Sequence, residues 1–506
     1  MYDIIIIGGG GAGLSAALSA FQKDIKIGVL SQNYPTKSQT SMAQGGINAV
    51  LNTDQDSIEL HIQDTLKASS NLASKEMVEL MCKNAPNAIE WLNSIGVPFS
   101  RDKHGNIAQR KLGGASQKRA CYAQDYTGLK ILHTLHDQCL KENIEFLSDQ
   151  FLLNFVVQKD QIKAIITLDI KSGEITQIDT KSVILATGGY GGIFYDYTTN
   201  DYISTGDGIV AALKNRAVIE DMEFIQFHPT ALKKSKALIS ESARGAGGKL
   251  VNQKGERFVD ELKPRDEVAR AVFEQIQNSN DVFLDITHLG EKYIDENLPQ
   301  ERKLSILYEN IDPVKDLIPI TPAVHYTMGG VAVDSNMQTS IKGLFAIGEV
   351  ACSKVHGANR LGGNSLLELV VFGKIAGKKA LEFSKNTLHD NSISKSKELQ
   401  NEQDRIEKIY NYKNEINFYR QREKLGELLY KKCGIIRKKE NLQEALSTIK
   451  KMKRNLPLMG LGDKSKKYNQ NLIEFLKFIN SLEVSELIIK SALNRDKSVG
   501  AHFIIN

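Results

Sequence analysis

The chain opens Met1-Tyr2-Asp3-Ile4-Ile5-Ile6-Ile7-Gly8-Gly9-Gly10-Gly11-Ala12-Gly13. A short β-branched apolar run reads as a buried strand, the glycines as a tight turn, and the Ala/Leu-rich residues 12–21 as a helix. Residues 25–30 read as a second buried strand, so the first 30 residues form one βαβ unit. Gly8, Gly10 and Gly13 satisfy GxGxxG. Glycines at that spacing allow a tight turn, close approach of backbone amides to a pyrophosphate, and helix–strand packing, while the helix N-terminus supplies partial positive charge.

Two more strand-like runs end in glycine. Residues 182–186 run into Thr187-Gly188-Gly189, and residues 343–347 run into Gly348-Glu349. Three such strands predict one parallel sheet assembled from distant segments, with its ligand at the strand ends. The acid that usually closes a nicotinamide fingerprint is missing, since Leu30 is followed by Ser31. Backbone from Ala186, Thr187, Gly188 and Glu349 around the same ligand suits a large buried flavin better than an exchangeable nicotinamide. Residues 206–332 carry their own strands and many polar residues, as an inserted domain would. Beyond Leu381 come amphipathic helical patterns, such as Leu425, Leu428, Leu429 and Leu472, Phe475, Leu476, Ile479. Residues 386–402 are polar and read as a linker.

The 506 residues are 41% hydrophobic and 25% charged, which excludes a disordered tail, a collagen and a small disulfide scaffold. Five scattered cysteines without a CxxC argue for a reducing compartment and against zinc or Cys-ligated clusters, so no metal site is expected. No apolar run reaches the ~18–20 residues of a membrane helix, and the start lacks the basic region of a signal peptide. From Ser384 onward there are 25 Lys+Arg against 15 Asp+Glu, spread along helix-like sequence. That pattern reads as a solvated helical face rather than a nucleic-acid site.

Several blocks carry a specific resemblance. They are Ala43-Gln44-Gly45-Gly46, Gln226-Phe227-His228-Pro229-Thr230, Ser240-Glu241 with Arg244, Pro264-Arg265-Asp266, and His325-Tyr326 with Met328-Gly329-Gly330. His356-Gly357-Ala358-Asn359-Arg360, Asn364-Ser365-Leu366, Gly434-Ile435-Ile436-Arg437 and Gly500-Ala501-His502 follow in order. Almost the whole chain resembles the flavoprotein family of succinate dehydrogenase, fumarate reductase and L-aspartate oxidase. The resemblance implies an α/β fold: a Rossmann-type FAD-binding parallel sheet domain (residues 1–205 and 331–383), an inserted α+β capping domain (206–330) and a C-terminal helical domain (384–506).

Hydride exchange between flavin N5 and a small dicarboxylate needs cationic clamps, a proton donor opposite the flavin, and exclusion of water. The resemblance assigns His228, Ser240, His325 and Arg360 to the substrate carboxylates and Arg265 to proton transfer. Glu241 and Arg244, three residues apart and so on one face of a helical turn, match the relay that supplies Arg265. The implied cofactor contacts are Gly8, Gly10, Gly13, Ser31, Thr40, Gly45, Gly46, Ala186, Thr187, Gly188, Asp207, Glu349, Asn364, Ser365 and Leu366. His61, His104, His288 and His389 fall in no motif and read as surface or core residues; His133 and His136 read as helix packing or capping.

The chain also departs from the family pattern. Ser38-Gln39-Thr40 has Gln39 where complex-bound members carry the His that bonds the flavin, so the FAD is expected to be non-covalent. Leu112 precedes Gly113-Gly114 where aspartate oxidases place a Glu for the substrate ammonium. The short C-terminus resembles aspartate oxidase, and Ala246 and Val499 replace the family's Glu and Arg without a physical account. The first expectation is the flavoprotein subunit of a succinate dehydrogenase or fumarate reductase. Its partners would be an iron–sulfur subunit and, through it, a membrane quinone-reactive anchor, with the chain cytoplasmic and peripheral on the inner membrane face. The alternatives are a stand-alone L-aspartate oxidase and a non-catalytic FAD protein binding through its basic C-terminal third.

Overall fold

The computed structural model describes residues 1–388 and 395–505. His389 and residues 390–394 of the expected linker lie outside the described residues. The first strand, β1 (Tyr2–Ile7), leads into α1 (Gly11–Ala20), and β2 (Ile27–Leu30) pairs parallel to β1, with Ile4 opposite Ile27 and Ile7 opposite Leu30. Helix α2 (Thr127–Lys141) packs against α1 and leads to β3 (Glu145–Leu147), parallel to β2. A hairpin follows, β4 (Gln150–Gln158) with β5 (Gln161–Asp169), and then β6 (Ile175–Leu185). β6 serves two partners: its first half runs antiparallel to β5 and its second half parallel to β1, with Leu185 opposite Ile7.

Helix α3 (Asp207–Lys214) then packs on β4, its Ile209 and Val210 joining the large core with Phe155 and Leu185. This helix lies with the first sheet, so the second unit's own core begins further on, at Leu232. That unit is an antiparallel sheet of β7 (Ile225–Leu232), β8 (Lys249–Asn252), β9 (Val282–Asp285) and β10 (Ile318–Thr327), in the order β7-β10-β9-β8. It carries α4 (Glu241–Gly245), α5 (Arg265–Gln277) and α6 (Pro299–Glu309), and buries Leu232, Ile239, Val268, Leu284 and Ile320. The chain returns through β11 (Leu344–Ala346), parallel to β6, completing the parallel sheet in the order β3-β2-β1-β6-β11. Helix α7 (Asn364–Lys385) crosses α1 closely, because Gly373 and Gly377 present no side chain to it.

The C-terminal region is helical: α8 (Lys397–Tyr410), α9 (Phe418–Lys432), α10 (Lys439–Arg454) and α11 (Gln470–Asn494). α8 takes in residues 397–402 of the expected linker. Leu399 and Ile406 give that stretch an apolar face, which packs on the sheet. The amphipathic residues Leu425, Leu429, Leu472, Phe475 and Leu476 are all buried. The tail folds back over the core, where Ala501 donates its N–H to the Ala358 carbonyl and the His502 ring meets Arg437.

Candidate active site

A long cleft starts at the C-terminal ends of β1, β2, β6 and β11 and ends between the two sheets. At its open end Gly8 has φ +121°, and a Cβ there would lie 2.1 Å from the Ala186 carbonyl oxygen. Only glycine permits this meeting of β1 and β6. Gly10, Ala186, Thr187 and Gly188 line the cleft, while Gly13 is buried against the Gly8 carbonyl. The Ser31 hydroxyl donates to the Asn33 carbonyl (2.6 Å), and Ser31 lines the cleft. Thr40 Oγ1 accepts from the Gly11 N–H (3.1 Å), and Gly45, Gly46, Ser365 and Leu366 line the middle of the cleft.

Two partly buried acids face the same space. Asp207 accepts from Asn480 Nδ2 (2.7 Å) and Thr205 (3.0 Å), and its burial raises its pKa. Glu349 accepts from the N–H (2.9 Å) and hydroxyl (3.1 Å) of Thr327, yet burial pushes it up to about 7. A neutral Glu349 can donate a hydrogen bond. Asn364 does not face the cleft: its amide accepts from Asn48 (2.8 Å) and meets His61 Nε2 (3.0 Å), and it donates to Thr65 (2.9 Å). His61 is a core residue, held at about 4 chiefly by burial, and it supports the turn before α7 from behind. His136 packs between Tyr34 and Phe146, and His104, His133 and His288 are exposed.

A flavin dinucleotide fits this cradle. The side chains of Ser38, Gln44 and Thr187 line the cleft and hold buried polar atoms without a partner among the described residues. Buried polar groups are rarely left so unless a ligand serves them. Gln39, at the position of the missing His, spends its carbonyl oxygen on the Asp201 N–H (3.0 Å).

The closed end gathers Ser240, Glu241, His228, His325, Arg265 and Arg360 from five segments. Pro229 cannot donate to a ladder, and the register of β7 on β10 shifts just past His228. The His228 ring faces the His325 ring at 5.0 Å. Thr230 spends its hydroxyl proton on the Ile239 carbonyl (2.9 Å), and its N–H reaches His228 Nδ1 (3.3 Å), so Nδ1 accepts and Nε2 carries the proton. His325 Nδ1 meets the Thr199 hydroxyl (2.8 Å). Burial, then the nearby arginines, hold both imidazoles far below their ordinary pKa, so both are neutral donors.

Pro264 places Arg265 at the first turn of α5, and its guanidinium reaches Glu241 Oε2 (2.8 Å) and Gln226 Oε1 (3.0 Å). On α4, capped by the Ser240 hydroxyl, Arg244 reaches Glu241 Oε1 (3.0 Å) and also donates to the Glu261 carbonyl. Arg244 lies behind the cleft wall and touches the site only through Glu241. Burial opposes the charge on Glu241, but Arg265 and Arg244 together keep its pKa below the usual range. Arg360 is 3% exposed and has no carboxylate partner among the described residues; it donates to Ser365 (3.1 Å) and stacks on the Tyr326 ring at 4.4 Å. Burial first, and then Arg265, lower it to about 10. Leu112 is 2% exposed and presents only methyl groups to the cleft beside Gly45. Gln44, Gln226 and Tyr326 stand inside quoted motifs, yet their roles depend on partners that only the fold supplies.

The sequence matches the FAD binding domain family over residues 3–366 and the fumarate reductase flavoprotein C-terminal family over residues 422–504. The flavoprotein subunit of 8-methylmenaquinol:fumarate reductase from Wolinella succinogenes is 38% identical, over 99% of this chain and 85% of that protein. The succinate dehydrogenase flavoprotein subunit of Rickettsia bellii is 36% identical, over 99% and 89%. The solved structure of a quinol-fumarate reductase with menaquinol superimposes with a TM-score of 0.95 at 35% identity, over 100% of this chain and 92% of that one. The fold and cleft are those of an FAD-dependent oxidoreductase. The chain belongs to the succinate dehydrogenase/fumarate reductase flavoprotein-subunit family. The relatives named here are on the succinate/fumarate side of the first expectation, not the aspartate oxidase side. Among the described residues no helix is long and apolar enough to cross a membrane.

Proposed function

We propose that this protein interconverts succinate and fumarate as the FAD-carrying subunit of a larger complex. The observation that carries the reading is Arg360, a buried guanidinium with no carboxylate partner among the described residues, at the closed end of the cofactor cleft. Burying such a charge unpaired is costly, so the site is built for an anion to complete. One substrate carboxylate takes the Arg360 fork, and the neutral His228 and His325 with Ser240 supply hydrogen bonds to the other. FAD, when bound, supplies the hydride acceptor or donor. Arg265 holds the proton that enters or leaves the substrate carbon. Glu241 and Arg244 restore that proton, because Glu241 bridges the two guanidinium groups.

Leu112 separates this reading from aspartate oxidation. An amino acid substrate brings an ammonium group, which a buried Leu cannot balance, and Glu241 already faces two arginines. The FAD is held without a covalent bond, since an amide at Gln39 has no nucleophilic nitrogen for the flavin. An iron–sulfur subunit carries electrons onward to a membrane quinone-reactive anchor, and the chain sits peripherally on the membrane through these partners. Anaerobic visible absorbance of the yellow protein tests the reading. Succinate bleaching the flavin, or fumarate reoxidising dithionite-reduced flavin without bleaching by L-aspartate, supports it; bleaching by L-aspartate alone overturns it.

A further inference from the structure

Arg360 sits one ring away from a buried carboxylate. Tyr326 lies under the guanidinium, and its hydroxyl donates to Glu368 Oε2 at 2.8 Å. Glu368, on α7, is 1% exposed and also accepts from Ser353 Oγ and His356 Nε2, each at 2.8 Å. Burial works against this carboxylate's charge, but His356, Tyr326 and Ser353 hold it ionised.

The arrangement meets two opposed needs. A carboxylate touching Arg360 would compensate its charge but would occupy the fork that a ligand must take. An aromatic face also attracts a guanidinium, and leaves the edge of the fork free. A phenol that donates to a carboxylate gains electron density, which deepens the negative face of its ring. Glu368 thereby supports the cation on the far side of Tyr326 without contacting it.

We propose that Tyr326 and Glu368 are a positioning pair that keeps Arg360 charged and fixed while leaving its donors free for a substrate carboxylate. The inference rests on the dicarboxylate reading and extends it to two residues that do not bind the carboxylate themselves. Each alteration of the pair should weaken binding of the ground state and the transition state alike, which appears in KM and not in kcat.

The test uses the FAD-loaded chain with Glu368→Gln, Tyr326→Phe and the double variant. Malonate, a dicarboxylate that cannot react, is titrated against the flavin absorbance, and fumarate reduction is followed with a reduced viologen dye. Each single variant should raise the malonate Kd and the fumarate KM about 5- to 30-fold, with kcat within about 3-fold of the parent. The double variant should be no worse than the weaker single, because the two side chains act through one contact. Unchanged malonate affinity in both single variants, fully additive losses, or losses confined to kcat would each overturn the pair. If Glu368→Gln loses its flavin, Tyr326→Phe, which keeps the ring, decides the matter alone. A parent protein that neither binds malonate nor reduces fumarate would overturn the dicarboxylate reading and the pair with it. A parent that does both, with unaltered variants, overturns the pair only.

Discussion

Glu241 Oε2 lies 2.8 Å from Nη2 of Arg265, on a carboxylate whose other oxygen is 3.0 Å from Arg244. An arginine loses a proton with difficulty, since its ordinary pKa is ~12.5 or above. Under the proposed function, the carboxylate in direct contact is the means by which Arg265 is recharged inside a dry site. Glu241→Gln keeps the shape and removes the charge. It should cut fumarate turnover by about 10²–10⁴-fold with the flavin retained, the range for a lost acid–base group. Steady-state rates, alongside the flavin-to-protein absorbance ratio, check this.

Space around the same carboxylate is fully used. A Cβ at Gly362 would fall 2.1 Å from Glu241 Oε2 and 3.2 Å from Arg265 Nη2. Gly362→Ala should therefore displace the Glu241–Arg265 contact. Turnover should fall about as far as in Glu241→Gln, with a stability loss of about 1–3 kcal/mol from overpacking. Thermal unfolding and turnover measured on one preparation check both.

A second buried acid gives a pH signature. Glu301 on α6 is fully buried, as is Asp125, and burial, then Asp125, holds its pKa well above the ordinary 4.5. The native state keeps a proton that the unfolded chain releases above that value. The native state thus binds more protons, so its stability falls as pH rises from 4.5 toward the folded value. Glu301→Gln, neutral at every pH, should flatten the decline of the unfolding midpoint between about pH 5 and pH 8. Its advantage over the parent should grow toward the alkaline end. Midpoints across that range check it, and parallel curves would refute it.

Attachment of the cofactor is directly measurable. With Gln39 committed to the Asp201 N–H, acid precipitation of the holoprotein should leave a colourless pellet and a yellow supernatant. Flavin remaining in the pellet would show a covalent bond at some other residue.

Much of the first sheet was legible because its strands are apolar, β-branched and stopped by glycine. That one parallel sheet gathers residues 2–7, 182–185 and 344–346 was readable from those runs, whereas the placing of Ile7 between Leu30 and Leu185 is set by the tertiary fold. The hairpin of β4 and β5 was not foreseen, since its two-residue turn is Lys159-Asp160, which takes positive φ at both residues without a glycine to signal it. The helix from Lys397 onward was hidden because its mean composition is polar, and only Leu399, Glu402, Ile406 and Ile409 are buried. At the site, residue types in motifs pointed to the cluster. Its second layer was invisible: His61 meets Asn364 across 303 residues, and Tyr326 meets Glu368 across 42. Such contacts belong to the tertiary fold, not to any local spacing.

The cofactor cleft is walled by segments as far apart as Gly8, Thr40, Ala186, Asp207, Glu349 and Ser365. A molecule held by all of them binds the folded chain and has nothing comparable to hold in the unfolded one. At a free concentration 100 times its Kd, it adds ~2.7 kcal/mol to the folded state. Flavin supply therefore acts on quantity as well as activity. In a cell short of riboflavin, the apoprotein would meet proteases more often, and the amount of this subunit would track vitamin status before its catalytic competence did.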